Sequence, residues 1–167
     1  FQAEIEQGLV DIVLNAEKAQ LPYMVIGGGS NLLVSDEPLE LLVIKNNVVG
    51  IESSGQLIKV KSGTVLQDLV DYSIENSFGG LHKMTGIPGT VGGAIYGNAG
   101  AYGQMIGDYI DQVYCLDPEN GQQTTLSKDQ CVFAYRDSGF RRKKLLILSA
   151  TFKLPVKILT RAVAPTV

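Results

Sequence analysis

The chain has 167 residues, a formal net charge of −3 and 45% hydrophobic residues. That length suits one domain or two small subdomains, and that composition suits a packed core rather than disorder. The charge balance gives no reason to expect nucleic acid, and the absence of any apolar run near the roughly 20 residues of a membrane helix argues against a span. Residues 1–13 show no basic leader, so no export signal is expected. Two cysteines, Cys115 and Cys131, and one histidine, His82, are too few for a metal centre. The cysteines are expected to be reduced and buried.

In chain order, residues 2–18 are predicted to form an amphipathic helix with Ile5, Leu9, Ile12 and Val13 on one face. Strands are predicted over 21–26 and 41–44, on either side of a glycine loop, giving an α/β opening. A boundary is placed near Asn46 and Asn47. A strand over 57–61 leads to Thr64 and Gln67, spaced as a capping box in which each side chain satisfies the other's backbone amide. The helix it would open puts Leu66, Leu69, Val70 and Ile74 on one face. Ser77-Phe78-Gly79-Gly80 would end it, glycine taking the left-handed cap. Strands are predicted over 111–116 and 145–154, with a turn over 117–121. The basic run Arg141 to Lys144 is expected to be a solvated turn.

Glycine is the compositional outlier, with 19 residues unevenly spread. In the first segment, "IGGGSNLLVSD", the loop from Gly27 to Asn31 lacks side chains that would keep backbone amides from converging on an anion. A diphosphate would suit it. No Lys-Ser/Thr follows, so it is not a Walker A loop. No helix is predicted after it, so it is not a Rossmann fingerprint either. A simple tight turn is the alternative. The second segment, "GIPGTVGGAIYGNAGAYG", runs from Gly86 to Gly103. Pro88 fixes a sharp turn, Gly92 and Gly93 permit close approach of a ligand, and Asn98 and Tyr102 offer hydrogen bonds to a heterocycle. Two such loops suit a long ligand with a diphosphate in its middle. In the third, "FAYRDSGF", Arg136 presents a planar fork of donors that fits a carboxylate, the alternative being a surface pair with Asp137.

In this order the three segments resemble one family closely, the UDP-N-acetylenolpyruvoylglucosamine reductases, over about residues 5–154. The resemblance implies an α+β, two-subdomain FAD-binding fold of the PCMH (vanillyl-alcohol oxidase) type, not Rossmann. The first subdomain would span 1–46 and the second 47–156, with 157–167 a divergent tail. It puts the FAD diphosphate near Gly27, Gly28, Gly29, Ser30, Asn31 and Leu32. A second cofactor loop would comprise Gly86, Ile87, Pro88, Gly89, Thr90, Gly92 and Gly93, and Asn98, Gly100, Ala101, Tyr102 and Gly103 would lie near the flavin. Arg136 matches the family's active-site arginine, with Tyr135 beside it in substrate binding.

The implied reaction takes hydride from NADPH through FAD to UDP-N-acetylglucosamine enolpyruvate in peptidoglycan synthesis. It implies a cytoplasmic enzyme, monomeric when complete, with no metal, nucleic-acid or membrane partner. The family's proton-donating serine motif and its substrate domain have no counterpart in the sequence, so activity of this chain alone is expected to be incomplete. Two alternatives stand beside it: another FAD-dependent oxidase or dehydrogenase of the same fold, against which the motif Tyr135 to Ser138 argues, and a flavin-binding module without catalysis.

Overall fold

The computed structural model describes residues 1–156; the expected tail at 157–167 lies outside the described residues. The chain opens with strand β1 (Gln2–Ala3), helix α1 (Glu6–Lys18) and strands β2 (Tyr23–Ile26) and β3 (Leu42–Asn46). These strands form a parallel sheet in the order β1-β3-β2. The helix expected from residue 2 starts at Glu6, because Gln2 and Ala3 pair with Lys45 and Asn46. Ile5, expected on the buried face, is instead the extended N-cap and is 68% exposed. Leu9, Val10, Val13 and Ala16 are buried, and the first three pack with Ile44 and Val48. Parallel neighbours need a long crossover, usually a helix. Here the crossover from β2 to β3 carries the first glycine loop and has no helix, and Leu32, Leu33, Val34 and Leu39 along it are exposed.

The second sheet is antiparallel. Its strands are β4 (Ile51–Ser54), β5 (Leu57–Lys61), β8 (Ile110–Leu116), β9 (Gln123–Ser127) and β10 (Leu146–Lys153), in the order β4-β5-β10-β8-β9. Between β5 and β8 come helices α2 (Leu66–Glu75) and α3 (Val91–Gly97) and the short pair β6 (Gly100–Ala101) and β7 (Gln104–Met105). Strand β5 alternates as a half-buried strand should: Ile58 and Val60 face inward, Lys59 outward. Leu66, Leu69 and Val70 of α2 and Val91, Ala94 and Ile95 of α3 cover the inner face together with Val113, Ala150 and Phe152. Leu116 and Leu148 leave this sheet for the core under α1, so the two units share apolar contacts. At the join, Asn46 donates to Ser62 Oγ at 2.8 Å and accepts from Val48 N at 3.0 Å.

Several local expectations are corrected. The residue capping α2 is Val65, and no side chain caps it. Thr64 is buried, and its hydroxyl bonds to the amide and carbonyl of Gly50 instead, at 3.0 and 3.3 Å. Gln67 donates to Asp71 and accepts from the amide of Gly86. Tertiary partners took both halves of the supposed box. Ile74 is 53% exposed, the inward position being taken by Ser73, whose hydroxyl donates to Val70 O. After α2 the left-handed residue next to the helix end is Ser77, with φ 59°, and Gly80 takes positive φ, 102°, three residues later. The basic run is exposed but also cross-links the surface: Arg142 meets Asp137 at 2.6 Å, and Lys144 meets Glu17 at 2.8 Å.

Candidate functional site

The two glycine segments are brought together. The first leaves the end of β2 and the second leads into α3, and they touch at Gly27, Gly28 and Ser30 on one side and Gly89 and Thr90 on the other. A methyl group on Gly27 would overlap Thr90 Oγ1 and stand 3.0 Å from its Cγ2. One on Gly28 would lie 3.5 Å from Gly89 Cα, and one on Gly89 would lie 3.0 Å from Ser30 Oγ. Thr90 is the N-cap of α3 and accepts from Gly93 N at 3.4 Å. Gly92 serves packing, since its Cβ would come within 2.9 Å of Ser62 Cβ. Pro88 and Ile87 complete the turn, which Ile87 closes by donating to Met84 O at 3.1 Å.

What remains free in these loops is backbone N–H. Among the described residues, the amides of Gly27, Gly28, Gly29, Ser30 and Asn31 donate to no backbone group, and neither do those of Gly89 and Thr90. Leu32, next in line, donates back to Gly29 O at 3.2 Å and closes the turn. Gly29 (φ 73°) and Gly86 (φ 82°) take the left-handed region, with nothing within 4 Å of the place a methyl group would occupy. Unpaired amide donors along two touching loops, with open space beside Gly29 and Gly86, are the kind of groups that an anion with several oxygens requires.

The remaining predicted residues build a second cluster. Ala101 and Gln104 pair across a two-residue turn in which Tyr102 (φ 51°) and Gly103 (φ 76°) are both left-handed, the geometry of a primed hairpin turn. Tyr102 is 84% exposed. Gly100 carries no side chain because Gln104 O occupies that space. Beside this hairpin stands another: Ala134 and Asp137 exchange backbone hydrogen bonds at 3.0 and 3.1 Å, and Tyr135 and Arg136 form its tip. Tyr135 is 83% exposed, and Arg136 is exposed and left-handed at φ 54°. Asn98 lies behind both hairpins, 1% exposed, donating to Ala134 O at 2.7 Å and accepting from Gly107 N at 3.1 Å.

Charge supports the second hairpin. The guanidinium of Arg142, with Arg141 further off, holds the Asp137 carboxyl below its usual range. Arg141 also lies over the Tyr96 ring at 5.3 Å. Lys144 and Tyr23 both donate to Glu17, which lowers its carboxyl pKa and ties α1 to the segment leading into β10. Burial pushes the Cys115 thiol up to about 12 and the Cys131 thiol up to about 11. Sequence reasoning gave Gln67 a capping role where it instead holds Gly86 in place, and missed Gln104, whose buried Oε1 has no partner among the described residues. Gln104 carries no sequence signal, since an isolated glutamine has no diagnostic spacing.

The FAD binding domain family matches residues 1–127, and the chain belongs to that family. Within it, the chain resembles UDP-N-acetylenolpyruvoylglucosamine reductases. It is 47% identical over 128 residues to that reductase of Thermotoga maritima, covering 76% of this chain and 44% of the relative. The crystal structure of the reductase (MurB) from Thermus caldophilus superimposes with a TM-score of 0.78 at 28% identity, over 93% of this chain and 55% of that one. A cholesterol oxidase from Brevibacterium sterolicum superimposes with a TM-score of 0.66 at 13% identity, a likeness of fold alone. The fold is therefore the α+β FAD-binding fold of the PCMH type. The chain spans less than half the length of the curated relative.

Proposed function

We propose that the chain is the FAD-binding part of an NADPH-dependent reductase that converts UDP-N-acetylglucosamine enolpyruvate to UDP-N-acetylmuramate in peptidoglycan synthesis. The observation that carries this is the row of unpaired amides along the two touching glycine loops. In this reading Gly27 to Asn31, with Gly89 and Thr90, hold the FAD diphosphate, and Gly86, Ile87 and Pro88 shape the turn beside it. The exposed ring of Tyr102 suits the flat face of a flavin. When bound, FAD supplies the hydride chemistry, accepting from NADPH and delivering to the enolpyruvyl double bond.

The chain's own contribution to that chemistry is electrostatic and positional. Arg136, aimed outward from its hairpin tip, receives the substrate carboxylate and offsets the charge that develops on it. Tyr135 stands beside it at the same tip. The proton donor and most of the sugar-nucleotide contacts would come from the part of the relatives that this chain does not span. The reading includes residues 1–46 and 47–156 as the two subdomains that enclose FAD, a cytoplasmic location and a monomeric complete enzyme.

The test is the visible absorption spectrum of the purified chain, before and after added FAD, with the chromophore released by mild denaturation. A flavin spectrum that yields free FAD is expected. A colourless protein that ignores added FAD would overturn the assignment of the loops. For Arg136, the measurement is turnover of Arg136→Ala in a chain extended to the relatives' full length. Turnover should fall by at least about a hundredfold, the scale of one lost preorganised donor, with FAD content unchanged.

A further inference from the structure

We infer that Asn98 and Ser138 are positioning residues that set the aim of Arg136, and that Asn98 does not face the cofactor. The inference rests on the reading of Arg136 as the carboxylate-binding group. Asn98 is the left-handed C-cap of α3, with φ 45°. Its oxygen accepts from Gly107 N, and its NH2 group donates to Ala134 O and lies 3.3 Å from Met105 Sδ. At 1% exposure, its amide is satisfied by protein on every side. Ser138 is fully buried, and its hydroxyl donates to Tyr96 O at 2.7 Å. These two bonds reach the arginine hairpin from opposite feet, Ala134 and Ser138. Both start on the last turn of α3, at Tyr96 and Asn98.

The tip is exposed, and there Arg136 holds a left-handed conformation uncommon for a residue with a side chain. With both feet fixed to one helical turn, the place of the Arg136 Cα and its left-handed backbone, from which the side chain sets out, follow from the helix. The same helix begins at Thr90, where the glycine loops meet. A single short rod therefore relates the proposed diphosphate cradle to the proposed carboxylate group.

The experiment uses two variants of the chain. Asn98→Asp keeps an acceptor for Gly107 N and tolerates the left-handed cap, but loses the donor to Ala134 O. Ser138→Ala frees the other foot alone, and decides the matter by itself if Asn98→Asp does not fold. The readouts are amide exchange at Ala134 and Asp137, the backbone coupling that reports the sign of φ at Arg136, and FAD content. Exchange should quicken roughly tenfold at both amides, the effect of one lost hydrogen bond. The left-handed signature at Arg136 should fade, while β5 and β10 amides and FAD content keep their wild-type values. An unchanged Arg136 and unchanged exchange in a folded variant would overturn the inference. So would loss of FAD with Arg136 unmoved, since Asn98 would then be a cofactor ligand. A separate titration of the wild-type chain with pyruvate, followed at the Arg136 Nε–H signal, addresses the reading beneath. No response there would count against Arg136 as a carboxylate group and leave the exchange result to decide positioning.

Discussion

Replacing Gly27 by alanine puts one carbon where Thr90 already stands. The added methyl would overlap Oγ1 and lie 3.0 Å from Cγ2 and 3.1 Å from Cβ, all on a branched side chain that is nearly buried. Thr90 can escape only by rotating away from Gly93 N, which gives up its cap, or by moving the start of α3. Gly27 is not among the positive-φ glycines, so alanine brings no backbone strain there. Overpacking of this kind costs about 1–3 kcal/mol, and the stiffer unfolded chain returns about 0.4–1 kcal/mol. The net loss is about 1–2 kcal/mol, or a Tm lower by roughly 3–8 °C for a domain of this size. Thr90→Ala alone should cost about 1 kcal/mol through the lost cap. The double variant should cost less than the two together by about 1–2 kcal/mol, because Thr90→Ala removes the two closest obstacles to the new methyl. The assay is urea unfolding of the four proteins. Costs that add to within about 0.5 kcal/mol would refute the contact between the loops.

Three further outcomes are expected. Thiolates react and thiols do not, and with pKa values of about 12 and 11 both cysteines are thiols at pH 8. Labelling by iodoacetamide should be very slow in the native state and fast in urea; rapid native labelling would show that Cys115 and Cys131 are not buried as described. Glu17 has a folded pKa below its ordinary value, so its stabilising effect is present above the carboxylate range and lost as pH falls through the folded value. Glu17→Gln should therefore lower Tm at pH 7 and match the wild type in strong acid, whereas an equal deficit at both would contradict the ion pair. Tyr102→Asn places a residue suited to the left-handed region in the hairpin turn and should raise stability by about 0.5 kcal/mol. If the ring meets the flavin, FAD affinity should fall at the same time; an unchanged affinity would remove Tyr102 from the site.

Strands with alternating or continuous apolar runs, such as β5 and β10, were legible because burial leaves a pattern. Strands β4 and β9 were not: they are the sheet's two edges, and "IESS" and "QTTLS" are largely exposed. Helix α3 was hidden for the opposite reason. Its sequence, "VGGAIYG", has poor intrinsic helix propensity, and it forms because Thr90 caps it and Gly92 fits against Ser62. The two glycine loops and Arg136 stood out in sequence by composition and motif. That the loops touch did not, nor did the work of Asn98, because its partner Ala134 lies far along the chain. The false capping box at Thr64 shows the same limit: the spacing was right, and distant backbone competed for both side chains.

The position of β10 in its sheet bears on how the molecule is made. The hairpins β4–β5 and β8–β9 are each complete before β10 begins, yet no strand joins them until residues 146–153 are inserted between them. A nascent chain halted before that point would hold two separate ribbons with open edges, each prone to pairing with a neighbouring polypeptide. The last of the sheet's five described strands in chain order thus acts as a keystone in time as well as in space. Because the same insertion carries Leu148 into the core under α1, one late event seals the second sheet and fastens it to the first.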